Sequence, residues 1–175
     1  MNVKLKAKTI LLQGLEKLPS GLGDGIYHFI QDKLSGKSLS QKIKTSYNSY
    51  KTLERLAEKS EISMGGKTIL EIGSGWLPLM PYFFCYFANA KKVITYDLNE
   101  HYNSRNINKL NHLFSEIYEL EVKDETGSKY PLPAGINYFP RTNLIEHKIS
   151  ANVIFSRFVM EHVHPEDIWG MHQKF

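Results

Sequence analysis

Apolar side chains along this chain recur first at helical spacing and later in short unbroken runs. Val3, Ala7, Ile10, Leu11, Leu15 and Leu18 lie three or four apart, which predicts a helix over residues 3–18. Glycines and a proline interrupt the pattern over 19–25, and a shorter apolar segment at 26–34 predicts a second helix. Residues 36–40 read as a loop. Ile43, Tyr47, Tyr50, Leu53, Leu56 and Ala57 then mark one face of a third helix, closed by Gly65 and Gly66. Beyond that glycine pair the period changes. Short, mainly apolar segments at 68–72, 93–96, 136–139 and 153–155 predict strands. Helices are expected between them at 81–88 and 102–118, and the polar stretch 121–135 reads as a loop or insertion. Strands alternating with helices predict an α/β fold, a doubly wound and mostly parallel sheet preceded by helices.

Composition narrows the class without naming a function. A length of 175 residues, 42% hydrophobic and 23% charged, fits one soluble globular domain. The single cysteine, Cys85, excludes an intramolecular disulfide and lies among aromatics, as a small buried apolar residue would. No apolar run approaches the roughly 20 residues of a membrane span. The apolar stretch after Lys4, Lys6 and Lys8 is too short for a signal peptide, so a cytoplasmic location is expected. The net charge of +4 is uneven, with +6 on residues 1–60 and −2 on the rest. The basic side chains are scattered, so we read them as a solvated helical face, with no specific nucleic-acid partner expected.

The chemistry concentrates at the ends of the first two strands. Leu70-Glu71-Ile72-Gly73-Ser74-Gly75-Trp76 runs an apolar strand into an acid and two glycines. The second strand ends in Asp97, 22 positions after Gly75. That is the layout of a nucleotide-type cofactor site at the carboxyl edge of a parallel sheet. A dinucleotide fingerprint would need a third glycine at position 78, where this chain has Pro78. Pro81 follows, so the helix is expected to start near it, leaving a longer turn poorly shaped for pyrophosphate. Glu71 would repel a pyrophosphate but suits a ligand with ammonium and sulfonium charges. Asp97 can accept hydrogen bonds from ribose hydroxyls.

Leu70-Glu71-Ile72-Gly73-Ser74-Gly75 resembles motif I of the class I S-adenosylmethionine-dependent methyltransferases. Asp97 stands where that family has its ribose-binding acid. Asn152-Val153-Ile154-Phe155-Ser156-Arg157-Phe158-Val159-Met160-Glu161-His162-Val163 resembles its fourth strand and the turn that follows. The resemblance covers about residues 65–165 and implies a Rossmann-like fold with S-adenosylmethionine (SAM) as cofactor. It departs from the family at Leu77, where a third glycine is common, at Asn152, where an aspartate is common, and near the third strand, where the usual acid is missing. It implies cofactor contacts from Glu71, Gly73, Ser74, Gly75, Trp76, Asp97, Leu98, Asn143, Ser156 and Arg157. Trp76 either walls the cofactor or packs in the core. His162, with Glu161, is the expected acceptor-side base or hydrogen-bond donor.

The organisation expected from these motifs is a helical cap over residues 1–64 and a SAM-binding domain over 65–175. The family continues past its fourth strand, so this domain is expected to be incomplete at its C-terminus. An unpaired fourth-strand edge would then invite a homo-oligomer. The expected activity is methyl transfer to a small-molecule acceptor. A nicotinamide-dependent oxidoreductase and a non-enzymatic SAM-binding fragment are its rivals. No metal site is expected: Glu161, His162 and His164 are too closely spaced to point together on a helix, and no second ligand cluster accompanies them.

Overall fold

The computed structural model describes residues 36–124, 127–160 and 163–173. The helices expected at 3–18 and 26–34 lie outside the described residues. Residues 1–42 and 43–175 form two compact units. In the first, the described residues are the start of helix α1, Leu39–Lys59. Its entry is a capping box: Gln41 N–H donates to Ser38 Oγ at 3.2 Å, and Ser38 N–H donates to Gln41 Oε1 at 2.9 Å. The helix therefore begins inside the stretch expected to be a loop, because two reciprocal side-chain bonds satisfy amides that apolar periodicity does not register.

The second unit carries β1 (Thr68–Ile72), α2 (Leu79–Tyr86), β2 (Lys92–Tyr96), α3 (Ser104–Tyr118), β3 (Ile136–Phe139), β4 (Val153–Ser156) and α4 (Pro165–His172). A short 3-10 turn, Leu144–Glu146, precedes β4. All four strands are parallel in the order β3-β2-β1-β4. The chain crosses from one side of β1 to the other between β3 and β4, and in open α/β sheets ligands bind at the carboxyl ends around that switch point. This is a Rossmann-like α/β arrangement, as the alternation of strands and helices implied.

Side-chain alternation assigns each sheet face its cover. Leu70, Ile72 and Tyr96 pack with Leu144 of the 3-10 turn and Met171 of α4. On the opposite face Phe84 of α2 meets Phe155 of β4 edge-on, with ring centroids 5.2 Å apart. Tyr47 and Tyr50 of α1 join that layer through Phe83 and Phe87, and Tyr118 of α3 closes it. These rings make α1 from Ile43 onward part of the core. Leu56 does not belong to that face, since it is exposed while Ile43, Tyr50 and Ala57 are buried.

Side-chain hydrogen bonds anchor the connections between these elements. Helix α2 starts two residues earlier than the proline implied, because Pro81 sits within the first turn, where its missing N–H costs nothing. Asn103 caps α3 by accepting from Asn106 N–H at 2.9 Å. Asn152 pins the start of β4: its side-chain oxygen accepts from Thr68 N–H at 2.9 Å. The polar connection after α3 is tied down by Asn111, whose side-chain amide donates to Pro131 O at 2.9 Å. Among the described residues β4 pairs only with β1, and Ile154 on it is partly exposed.

Candidate functional site

The glycine turn after β1 is shaped by two left-handed residues. Gly73 has φ +83° and Gly75 has φ +57°, conformations that cost an L side chain about 1–2 kcal/mol. Gly73 N–H donates to Tyr96 O at 2.9 Å, which extends the β1–β2 ladder one step past the strand. A Cβ at Gly73 would stand 2.2 Å from Val159 Cγ2, so the turn after β4 closes directly onto this glycine. A Cβ at Gly75 would meet nothing. One glycine is required by packing, and the other borders open space.

Asp97 holds the turn from the neighbouring strand. Its Oδ2 accepts from Ser74 N–H at 2.8 Å and from Ser74 Oγ–H at 2.9 Å. Its Oδ1 accepts from Asn99 N–H at 2.9 Å, and His101 Nε2 lies 3.6 Å from the same oxygen. A carboxylate offers about four acceptor positions. Three are filled by backbone and by Ser74, and the fourth faces His101. The Ser74 hydroxyl has a second acceptor in Gly75 O at 3.2 Å, so it can turn away from Asp97 without losing its bond.

Beneath the turn lies a buried polar cluster. Glu71 is 4% exposed, and its Oε2 accepts from Thr95 Oγ at 2.8 Å across the β1–β2 pair. Burial pushes its carboxyl up to about 8, the Thr95 bond opposes this, and the Asp97 charge adds to it. Tyr102, fully buried, donates its hydroxyl to Ser74 O at 3.3 Å and stacks on Tyr138 with centroids 4.0 Å apart. Desolvation raises the Tyr102 hydroxyl well above its ordinary range. Glu71 therefore sits under the turn, where burial favours its neutral form.

The remaining expected contacts divide. Trp76 is at the rim, 37% exposed, with its ring 4.9 Å from the His101 imidazole, so it walls the site and does not enter the core. Leu98 follows Asp97 and is largely exposed. Asn143 caps the 3-10 turn, its oxygen accepting from Ile145 N–H at 3.1 Å. Ser156 ends β4 beside Ile72, and its Oγ is buried with no hydrogen-bond partner among the described residues. Arg157 lies over the Phe158 ring, 4.8 Å from its centroid. Phe158 is exposed at φ +58°, a strained conformation for an aromatic residue. Glu161 and His162 lie outside the described residues.

The far rim is held by one acid that sequence reasoning passed over. Glu100 accepts from Lys129 and Tyr130 and pairs with Arg141 at 3.0 Å. The Lys129 bond leads in keeping its carboxyl below the usual range. It binds the connection after α3 and the end of β3 to the end of β2. Thr95, His101 and Tyr102 were also missed.

No family model matches the chain, and no curated protein matches it. Solved structures do match. A mutant of MtNAS is 14% identical with a TM-score of 0.47, and the match covers 99% of this chain and 52% of that one. A mutant of MtNAS in complex with S-adenosylmethionine is 13% identical with a TM-score of 0.47, covering 98% and 53%. MtNAS in complex with MTA and tNA is 14% identical with a TM-score of 0.46, covering 99% and 52%. This chain thus spans about half the length of the solved structures it matches.

Proposed function

We propose that this chain binds S-adenosylmethionine and transfers its methyl group to a small-molecule acceptor. The observation that carries the reading is the coupling of Asp97 to Ser74, between two left-handed glycines at the switch point of a parallel sheet. Bound there, SAM supplies an electrophilic methyl on a sulfonium centre. Asp97 would accept a ribose hydroxyl. The open side of Gly75 gives room beside it, and exposed Leu98 offers an apolar cover for the adenine. The unpartnered Ser156 Oγ supplies a polar atom on the β4 side of the same edge.

The start of α2 supports this cofactor over a dinucleotide. Pro78 caps the helix without a side-chain bond, and Pro81 removes an amide from its first turn. Few donors remain there for a pyrophosphate. On the acceptor side the chain's part is to orient the nucleophile in line with the methyl and exclude water. Glu161 and His162 are the proposed groups for taking the acceptor's proton. His162→Ala is expected to lower turnover while leaving SAM affinity unchanged, measured by single-turnover methyl transfer beside calorimetry. An unchanged rate would remove His162 from the mechanism.

The direct test of the cofactor reading is Asp97→Asn, which keeps the shape of the side chain and removes its charge. Charge-assisted hydrogen bonds contribute about 1.5–3 kcal/mol each, so SAM affinity should fall at least about tenfold. Titration calorimetry that returns the wild-type affinity for Asp97→Asn would sink the assignment.

A further inference from the structure

The ribose acceptor of the proposed site already has a protein group in front of it. The His101 ring lies between the Trp76 indole, at 4.9 Å, and the Asp97 carboxylate, with Nε2 3.6 Å from Oδ1. Both side chains are largely shielded, at 18% and 11% exposure. His101 is not a loose surface residue. Its backbone N–H donates to Tyr138 Oη at 3.0 Å, and Tyr138 is itself stacked on buried Tyr102. Backbone, ring and carboxylate contacts thus hold the imidazole over the acceptor position on Oδ1 that backbone and Ser74 leave unfilled.

We infer that His101 is the residue that sets the affinity of this site for ribose-bearing ligands, by competing with the ribose for Asp97. A vicinal diol needs two acceptor positions on the carboxylate. One is released when the Ser74 hydroxyl turns to Gly75 O. The other is released only when His101 withdraws from Oδ1. Part of the ligand's binding energy is therefore spent on moving His101, which the Trp76 ring and the Tyr138 hydroxyl hold in place.

This inference rests on the proposed ribose contact with Asp97, and the experiment separates the two. Adenosine is the probe, because it carries the diol and adenine without the methionine end. Its affinity is measured by calorimetry for wild type, His101→Ala, His101→Phe and Asp97→Asn. His101→Phe keeps a ring against Trp76 and removes the nitrogen, so it guards against a collapse of the rim. The expected result is that both His101 variants bind adenosine about tenfold more tightly than wild type. If Asp97→Asn weakens binding but His101→Phe binds no better than wild type, the competition is refuted and the ribose contact stands. If Asp97→Asn binds adenosine as wild type does, or wild type does not bind it, both readings fall.

Discussion

Gly73→Ala is expected to destabilise the fold by about 3 kcal/mol or more, far beyond the usual cost of adding one methyl group. Two effects combine. The residue is at φ +83°, which only glycine adopts cheaply, and the new Cβ would stand 2.2 Å from Val159 Cγ2. Val159 belongs to the turn after β4, so relief requires moving either that turn or the β1–β2 edge. Shortening the partner tests the origin of the cost. In Gly73→Ala/Val159→Ala the nearest methyl group is gone and only the backbone strain remains. The double variant should recover at least about 1 kcal/mol against the sum of the single changes. Gly75→Ala is the contrasting case. Its Cβ meets nothing, so the stability cost is the left-handed conformation alone, about 1 kcal/mol. Its methyl group enters the space beside Asp97, so the loss should appear in SAM affinity. Urea denaturation and calorimetry on the same proteins measure both. Equal stability of Gly73→Ala and Gly75→Ala would contradict the packing of Val159 on the turn.

The strands were readable because each is a short, mainly apolar segment set between polar or glycine-bearing stretches. Thr68–Ile72 and Ile136–Phe139 coincide with those segments, and Lys92–Tyr96 and Val153–Ser156 exceed theirs by one residue. Helix starts were harder, since they depend on single hydrogen bonds. The Ser38–Gln41 box carries no apolar signature, and Pro81 marks a first turn without showing which residue opens it. Gly73, Gly75 and Asp97 were legible because backbone geometry and strand ends constrain residue type at those positions. The occupation of Asp97 by Ser74, Asn99 and His101 was not, because it arises from three segments that meet only after the strands pair. Asn143 carries a second role that apolar patterning does not show: its amide oxygen caps the 3-10 turn after β3.

Glu71 should make this protein less stable as pH rises, opposite to the usual behaviour of a carboxylate. An exposed or paired acid has its folded value lowered and loses stability as pH falls. Glu71 is buried, and its carboxyl is pushed up to about 8 from an unfolded value of 4.5. Below both values the folded and unfolded chains carry the same proton, and nothing is lost. Between them the unfolded chain releases a proton that the folded chain keeps. Stability then falls by up to about 1.4 kcal/mol for each pH unit, until the folded group also ionises near pH 8. Glu71→Gln removes the titration but keeps an oxygen able to accept from Thr95 Oγ, and its volume is nearly the same. The variant should match wild type near pH 4.5 and exceed it by at least about 2 kcal/mol at pH 8. Urea denaturation at half-unit steps from pH 4.5 to 8.5 reads the difference directly. Parallel stability curves for the two proteins would mean that Glu71 is already ionised in the fold, and that the space under Ser74 holds a charge. A gap that opens with pH would establish it as a neutral support for the turn that Ser74 and Asp97 hold above it.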